Sequence, residues 1–136
     1  MARDFKLKDE QMLRTKLCTV GTATVIEAGD LVALSSGVIV KAGAADTAIA
    51  YAPDGSADGE TEMAVSIGND FTLTGTGDAA FAVTQKGSFV DLVGTTTLLI
   101  DVGTSSTNVL QIGIGSDAGV VDSTDNIEVK IALPLF

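Results

Sequence analysis

From Cys18 to its C-terminus the chain alternates apolar and polar residues with a period of two, the pattern of strands that bury one face and wet the other. Near the C-terminus Ile127, Val129 and Ile131 share one side of an extended segment, with Glu128 and Lys130 on the other. The same arrangement sets Met63, Val65 and Ile67 against Glu62 and Ser66, and Phe71 and Leu73 against Thr72 and Thr74. It recurs with Leu98, Ile100 and Val102 against Thr97 and Asp101, and with Leu110, Ile112 and Ile114 against Gln111. Apolar residues at helical spacing are missing from this region, so the pattern predicts an all-β fold with antiparallel sheets.

Turn chemistry punctuates these segments. Leu31–Leu34 and Val38–Lys41 flank Ser35-Ser36-Gly37, which reads as a three-residue bulged hairpin loop with Gly in the left-handed position. Asp54-Gly55, Asp58-Gly59, Gly77-Asp78 and Asp117–Gly119 mark further turns, at a spacing that suggests a small antiparallel β-barrel or β-sandwich. No internal repeat is visible.

Met1–Leu17 breaks the alternation. Its Lys, Glu, Gln, Leu and Met residues favour helix, and Leu13 and Leu17 stand four apart. The apolar series is too sparse to fold alone, so the stretch is expected as an N-terminal arm, extended or a short helix, that orders against a partner. A frayed end without a role is the plainer alternative. The expected organisation is therefore an arm, residues 1–17, on a single β domain, residues 18–136, within the usual size of one domain.

Charge sharpens this division. The chain carries 8 basic and 18 acidic residues, a net of −10, which repels phosphate backbones and anionic lipid surfaces. Neither a nucleic-acid nor a membrane partner is expected. Residues 1–17 hold a net of +2 and the rest −12, so a weakly basic arm sits on an acidic body. The longest unbroken apolar runs, Ala48–Ala52 and Ala79–Val83, are far short of the roughly 20 residues of a spanning helix. The N-terminus lacks an apolar core and a small-residue cleavage site, so it does not read as a secretory signal, and the chain is expected to be made in a reducing cytoplasm. Cys18 then reads as a small core residue in preference to a reactive thiol.

The candidate chemistry is thin. With no His, no Trp, one Tyr and one Cys, imidazole dyads, multi-cysteine zinc sites and disulfide frameworks are excluded. Gly75–Ala80 and Gly113–Ala118 both fit G-x-G-x-x-A, but dinucleotide binding needs the second Gly to open a helix. Phe81-Ala-Val-Thr84 reads as continuing strand and Val120–Asn126 as turns, so both are expected as hairpin glycines. Asp54 to Glu62 resembles the start of a calcium loop, with acids at 54, 58, 60 and 62, but its twelfth position is Val65 in place of Glu. A solvated acidic turn explains it better. Paired carboxylates for sugar cleavage lack aromatic platforms, because Phe5, Tyr51, Phe71, Phe81, Phe89 and Phe136 are mostly placed for core packing. A Ser-Lys dyad from Lys41, Lys86 or Lys130 has no supporting motif. No catalytic residue, metal or cofactor is expected.

Two stretches carry a family resemblance. Ala28-Gly-Asp-Leu-Val-Ala-Leu-Ser-Ser-Gly-Val-Ile-Val-Lys41, followed by Thr47-Ala-Ile-Ala-Tyr51, gives a Gly-Asp, strand, Gly turn, strand series. Gly87–Leu92, Leu99–Thr104, Asn108–Gly113 and Asn126–Ile131 give the later strands. Together they resemble the head decoration, or cement, proteins of tailed bacteriophages. The resemblance implies a β-tulip-like domain, non-enzymatic, bound to the major capsid protein on the outer surface of the expanded head. It also implies a homotrimer at threefold or quasi-threefold positions. It assigns the capsid-contacting role to the arm, at Arg3, Phe5, Lys6, Leu7, Leu13, Arg14 and Lys16. A receptor-binding or adhesin-like β module recognising a glycan or host surface is the alternative; a bound cation at Asp54, Asp58 and Glu60 would favour it.

Overall fold

In a computed structural model that describes residues 3–9, 11–21, 25–56 and 61–136, the alternation resolves into eleven short strands among the described residues. They are β1 (Phe5–Leu7), β2 (Thr15–Thr19), β3 (Leu31–Ser35), β4 (Val38–Lys41), β5 (Ala50–Tyr51), β6 (Glu62–Ser66), β7 (Leu73–Gly75), β8 (Phe89–Val93), β9 (Leu99–Asp101), β10 (Leu110–Ile112) and β11 (Ile127–Ile131). The only helical element described is a single 3-10 turn, Val83–Gln85. The all-β reading holds.

Three antiparallel sheets form. The largest has the order β1-β7-β11-β10-β8-β9, and the others are β4-β3-β5 and β2-β6. The strands are not closed into a barrel, so the sandwich half of the expectation is the one realised. In the large sheet, Phe5, Leu73, Gly75, Ile127, Val129, Ile131, Leu110, Ile112, Leu92 and Ile100 are buried, while Lys6, Lys130 and Phe89 emerge on the other side. This buried face meets Leu31, Ala33 and Tyr51 of the β4-β3-β5 sheet in one core. The opposite face of that small sheet, with Val32, Ile39 and Ala50, packs on Met63 and Val65 of β6 in a second core. The small sheet is thus a middle layer covered on both sides, which is why Leu31-Val32-Ala33 and Ala48–Ala52 read as continuous apolar runs instead of alternating ones.

Several local expectations are corrected. The hairpin loop between β3 and β4 has two residues, not three, because Ser35 pairs with Val38. Both loop residues, Ser36 (φ 50°) and Gly37 (φ 83°), are left-handed, as a type I′ turn requires. Phe81–Thr84 does not continue as strand: Phe81 is held by backbone bonds to Ser123 and Asp122, and the 3-10 turn follows. Ile114 does not share the buried side of β10, since the strand ends at Ile112 and Ile114 is exposed. Ser66, placed on the wet side of its strand, is buried because its hydroxyl accepts the Tyr51 N–H at 2.8 Å.

The largest correction concerns residues 1–17. The described part is extended, but it forms strands of the body and not an arm beside it. β1 pairs with β7 in the register Phe5 to Gly75, Lys6 to Thr74 and Leu7 to Leu73, and β2 pairs with β6 along its whole length. The division into an arm and a separate body therefore does not describe the fold. The physical reason is that the few apolar residues of this stretch do not need to fold alone when the body leaves slots for them.

Candidate functional site

Of the residues expected at the capsid contact, Phe5, Lys6 and Leu7 lie on β1 and Lys16 on β2, while Arg3, Leu13 and Arg14 flank these strands. Phe5 is completely buried in the larger core, and Leu7 and Leu13 pack against that core from its margin. Phe5 cannot meet a partner without unfolding the sheet edge, while Leu7 and Leu13 keep part of their surface open. Gly75 shows how closely Phe5 is fitted: a side chain there would start inside the Phe5 ring. Arg3, Lys6, Arg14 and Lys16 are exposed, so the charged members of the expected set are the most open to another molecule. They lie on different sheets and do not form one cluster, Lys6 standing on the outer face of the large sheet and Lys16 on β2.

The segment between the two strands is stapled down by polar groups that the sequence did not single out. The Lys8 ammonium lies 2.6 Å from the Glu128 carboxylate and 2.8 Å from that of Asp117. Burial works against the Lys8 charge, but the two acids outweigh it and hold its pKa above the usual value. Lys8 in turn holds the exposed Asp117 carboxyl below its usual range. The Gln11 side chain clamps Thr72 in both directions, its amide donating to the Thr72 carbonyl and its oxygen accepting the Thr72 N–H, each at 2.9 Å. At the other end Asp4 accepts the Leu98 N–H at 3.0 Å and pairs with Lys41 at 3.3 Å. Lys41 also reaches the buried Asp30 at 3.4 Å and donates to the Thr96 carbonyl. These groups line an open concavity of about 410 Å³ with Glu27 and Thr95–Thr97. Burial pushes the Asp30 carboxyl up; the Glu27 N–H and Lys41 oppose this, and Asp4 adds to it. Lys41 bridges Asp4 and Asp30 in this concavity, which makes it a structural lock on residue 4.

Exposure then concentrates on one stretch. From Met12 to Leu17 every residue except Leu13 is exposed, with Met12 at 95% and Leu17 at 68%. Two apolar side chains and two cations, Arg14 and Lys16, stand out there from a chain that is otherwise acidic. The Lys16 ammonium sits 4.5 Å over the ring of Phe136, and neither Arg14 nor Lys16 has an acidic partner among the described residues. A second set of exposed apolar residues, Val83, Phe89, Ile114, Val120 and Val121, lies on the turns around β8 and β10.

The remaining expectations fall as follows. Cys18 is half-buried at the margin of the second core, where burial raises its pKa. Asp58 and Glu60 of the acidic turn lie outside the described residues, and no cluster of three or more metal-binding side chains occurs among the described ones. No described helix is long and apolar enough to cross a membrane. Of the aromatics, Phe5, Tyr51, Phe71 and Phe81 are core residues, while Phe89 and Phe136 are partly exposed. No family model, curated protein or solved structure matches the chain.

Proposed function

We propose that the chain is a non-enzymatic structural protein of a tailed-phage virion that binds the major capsid protein on the outside of the expanded head and stabilises it. The strand-and-turn stretches from Ala28 to Tyr51 and from Gly87 to Ile131 support the family reading. The observation that carries the docking role is the exposed, cationic and apolar stretch Met12–Leu17 on an acidic chain. In this reading the contact set narrows to Arg14, Lys16, Met12 and Leu17, and the acidic remainder faces solvent and keeps particles apart. Three copies associate at a threefold position. Stabilisation needs no reaction, because a protein that binds the mature lattice and not its opened form adds its binding free energy at every site.

Pelleting the purified chain with empty expanded heads tests the proposal. Binding that saturates at a fixed ratio to the capsid subunit is the expected result, with a trimer in sedimentation velocity. A monomer that stays in the supernatant at all ratios removes both the docking role and the trimer.

A further inference from the structure

The register of β2 on β6 decides which backbone groups of β2 are spent. The Ile67 N–H donates to the Arg14 carbonyl at 3.0 Å and the Val20 N–H to the Thr61 carbonyl at 2.9 Å. These bonds make the even-numbered residues of β2 the hydrogen-bonded partners of β6, in the pairing Thr15 to Ser66 through Thr19 to Glu62. The N–H and C=O groups of Thr15 and Leu17 therefore point away from β6. Among the described residues β2 pairs with no strand but β6, and no hydrogen bond outside the sheet ladders reaches either residue. Three other sheet edges are covered. Phe5 of β1 donates to Gly29, Ile100 of β9 is bonded on its outer side to Thr76 and Asp78, and β5 meets the Ser66 hydroxyl and the 133–135 segment. Along the open edge itself, β4 already touches β2 by a parallel bridge from Ile39 to Val20, so this edge accepts a strand where one reaches it.

We propose that the edge of β2 at Thr15–Leu17 accepts an extended segment of another protein as an added strand, and that this segment alternates acidic and β-branched residues. An added strand sets its side chains beside Lys16 on one face and beside Thr15 and Leu17 on the other. The first face calls for carboxylates, because Lys16 and Arg14 are exposed and have no acidic partner among the described residues. The second calls for apolar branched side chains against the exposed Leu17. A second copy is the wrong occupant: pairing β2 with itself adds no carboxylate to a strand that has none, and each copy carries −10. Cations on an edge strand are also a known guard against self-pairing. This inference deepens the docking reading and rests on it only for the identity of the partner.

The test uses the full chain and a blocked heptapeptide alternating Glu and Val, with its Lys-Val counterpart as the control. Backbone amide signals of Thr15 and Leu17 are expected to shift and to exchange more slowly with the Glu peptide, and the Lys peptide is expected to bind about tenfold or more weakly. Lys16→Glu is expected to reverse that preference. Leu17→Pro removes an N–H that the β2-β6 ladder does not use, so the fold is kept while peptide binding falls about tenfold or more. Equal binding by the two peptides, or undiminished binding by Leu17→Pro, overturns the inference, as does a dimer paired through β2. Heads that bind parent and Leu17→Pro alike overturn it too and leave the docking reading standing. Peptide binding by a chain that ignores heads does the reverse.

Discussion

Asp91 shows how much a single side chain organises here. It is buried on β8, and its carboxylate accepts the N–H groups of Ser106, Thr107 and Asn108 at 2.9–3.1 Å. Burial pushes its pKa up, but the N–H groups of Asn108, Ser106 and Thr107 outweigh burial and leave it below the usual range. A carboxyl with a lowered folded pKa stabilises the fold above its unfolded value, and this stability is lost as the pH falls through the folded value. Asp91→Asn is therefore expected to cost about 2–3 kcal/mol at pH 7, in chemical denaturation, with the gap to the parent closing in strong acid. Asp30 has the opposite sign. Its pKa is raised, so its charge costs stability above that value, and mild acidification through it relieves the cost. The sequence shows neither behaviour, because Asp91 draws its partners from another turn and the shift of Asp30 comes first from burial, which only the fold creates. The same holds for Lys8 and Gln11, whose partners Glu128 and Thr72 lie far along the chain.

Among the elements, the strands with one wet face were legible from their alternation, while β3 and β4 of the doubly covered sheet were legible only from the turn that joins them. The alternation located β7, β9, β10 and β11 because their burial follows it residue by residue. β1 was hidden because charged residues, Arg3-Asp4 and Lys8-Asp9, flank Phe5-Lys6-Leu7 on both sides, and β2 because four of its five residues are exposed and give no apolar face to read. The candidate site was half legible for the same reason: the cations stood out, while the burial of Phe5 is a property of its slot. Phe5→Ala should cost about 3–5 kcal/mol in urea denaturation, a loss that a free arm would not show. The hairpin offers a separate check on backbone cost. A side chain at Gly37 would touch nothing, so Gly37→Ala isolates the penalty of its left-handed φ, about 1–2 kcal/mol. Gly103, equally open but without a positive φ, serves as the control, and alanine there should be neutral or slightly stabilising.

At the scale of the molecule, the middle sheet joins two cores that neither neighbouring layer could close alone. Much of the pairing that surrounds it links residues far apart in the chain: β1 waits for β7, and the Lys8 staple waits for Asp117 and Glu128. Chains built on such distant pairings fold slowly, because long loops must close before the contacts reward them. The consequence falls on synthesis. β1 has no strand partner until β7 has been made, and β7 gains its second neighbour only when β11 follows, so β1 stays unpaired through much of the synthesis of this chain. Until then its apolar residues and its open edge are shown together, and nascent chains are at their most adhesive at the moment when they are least complete.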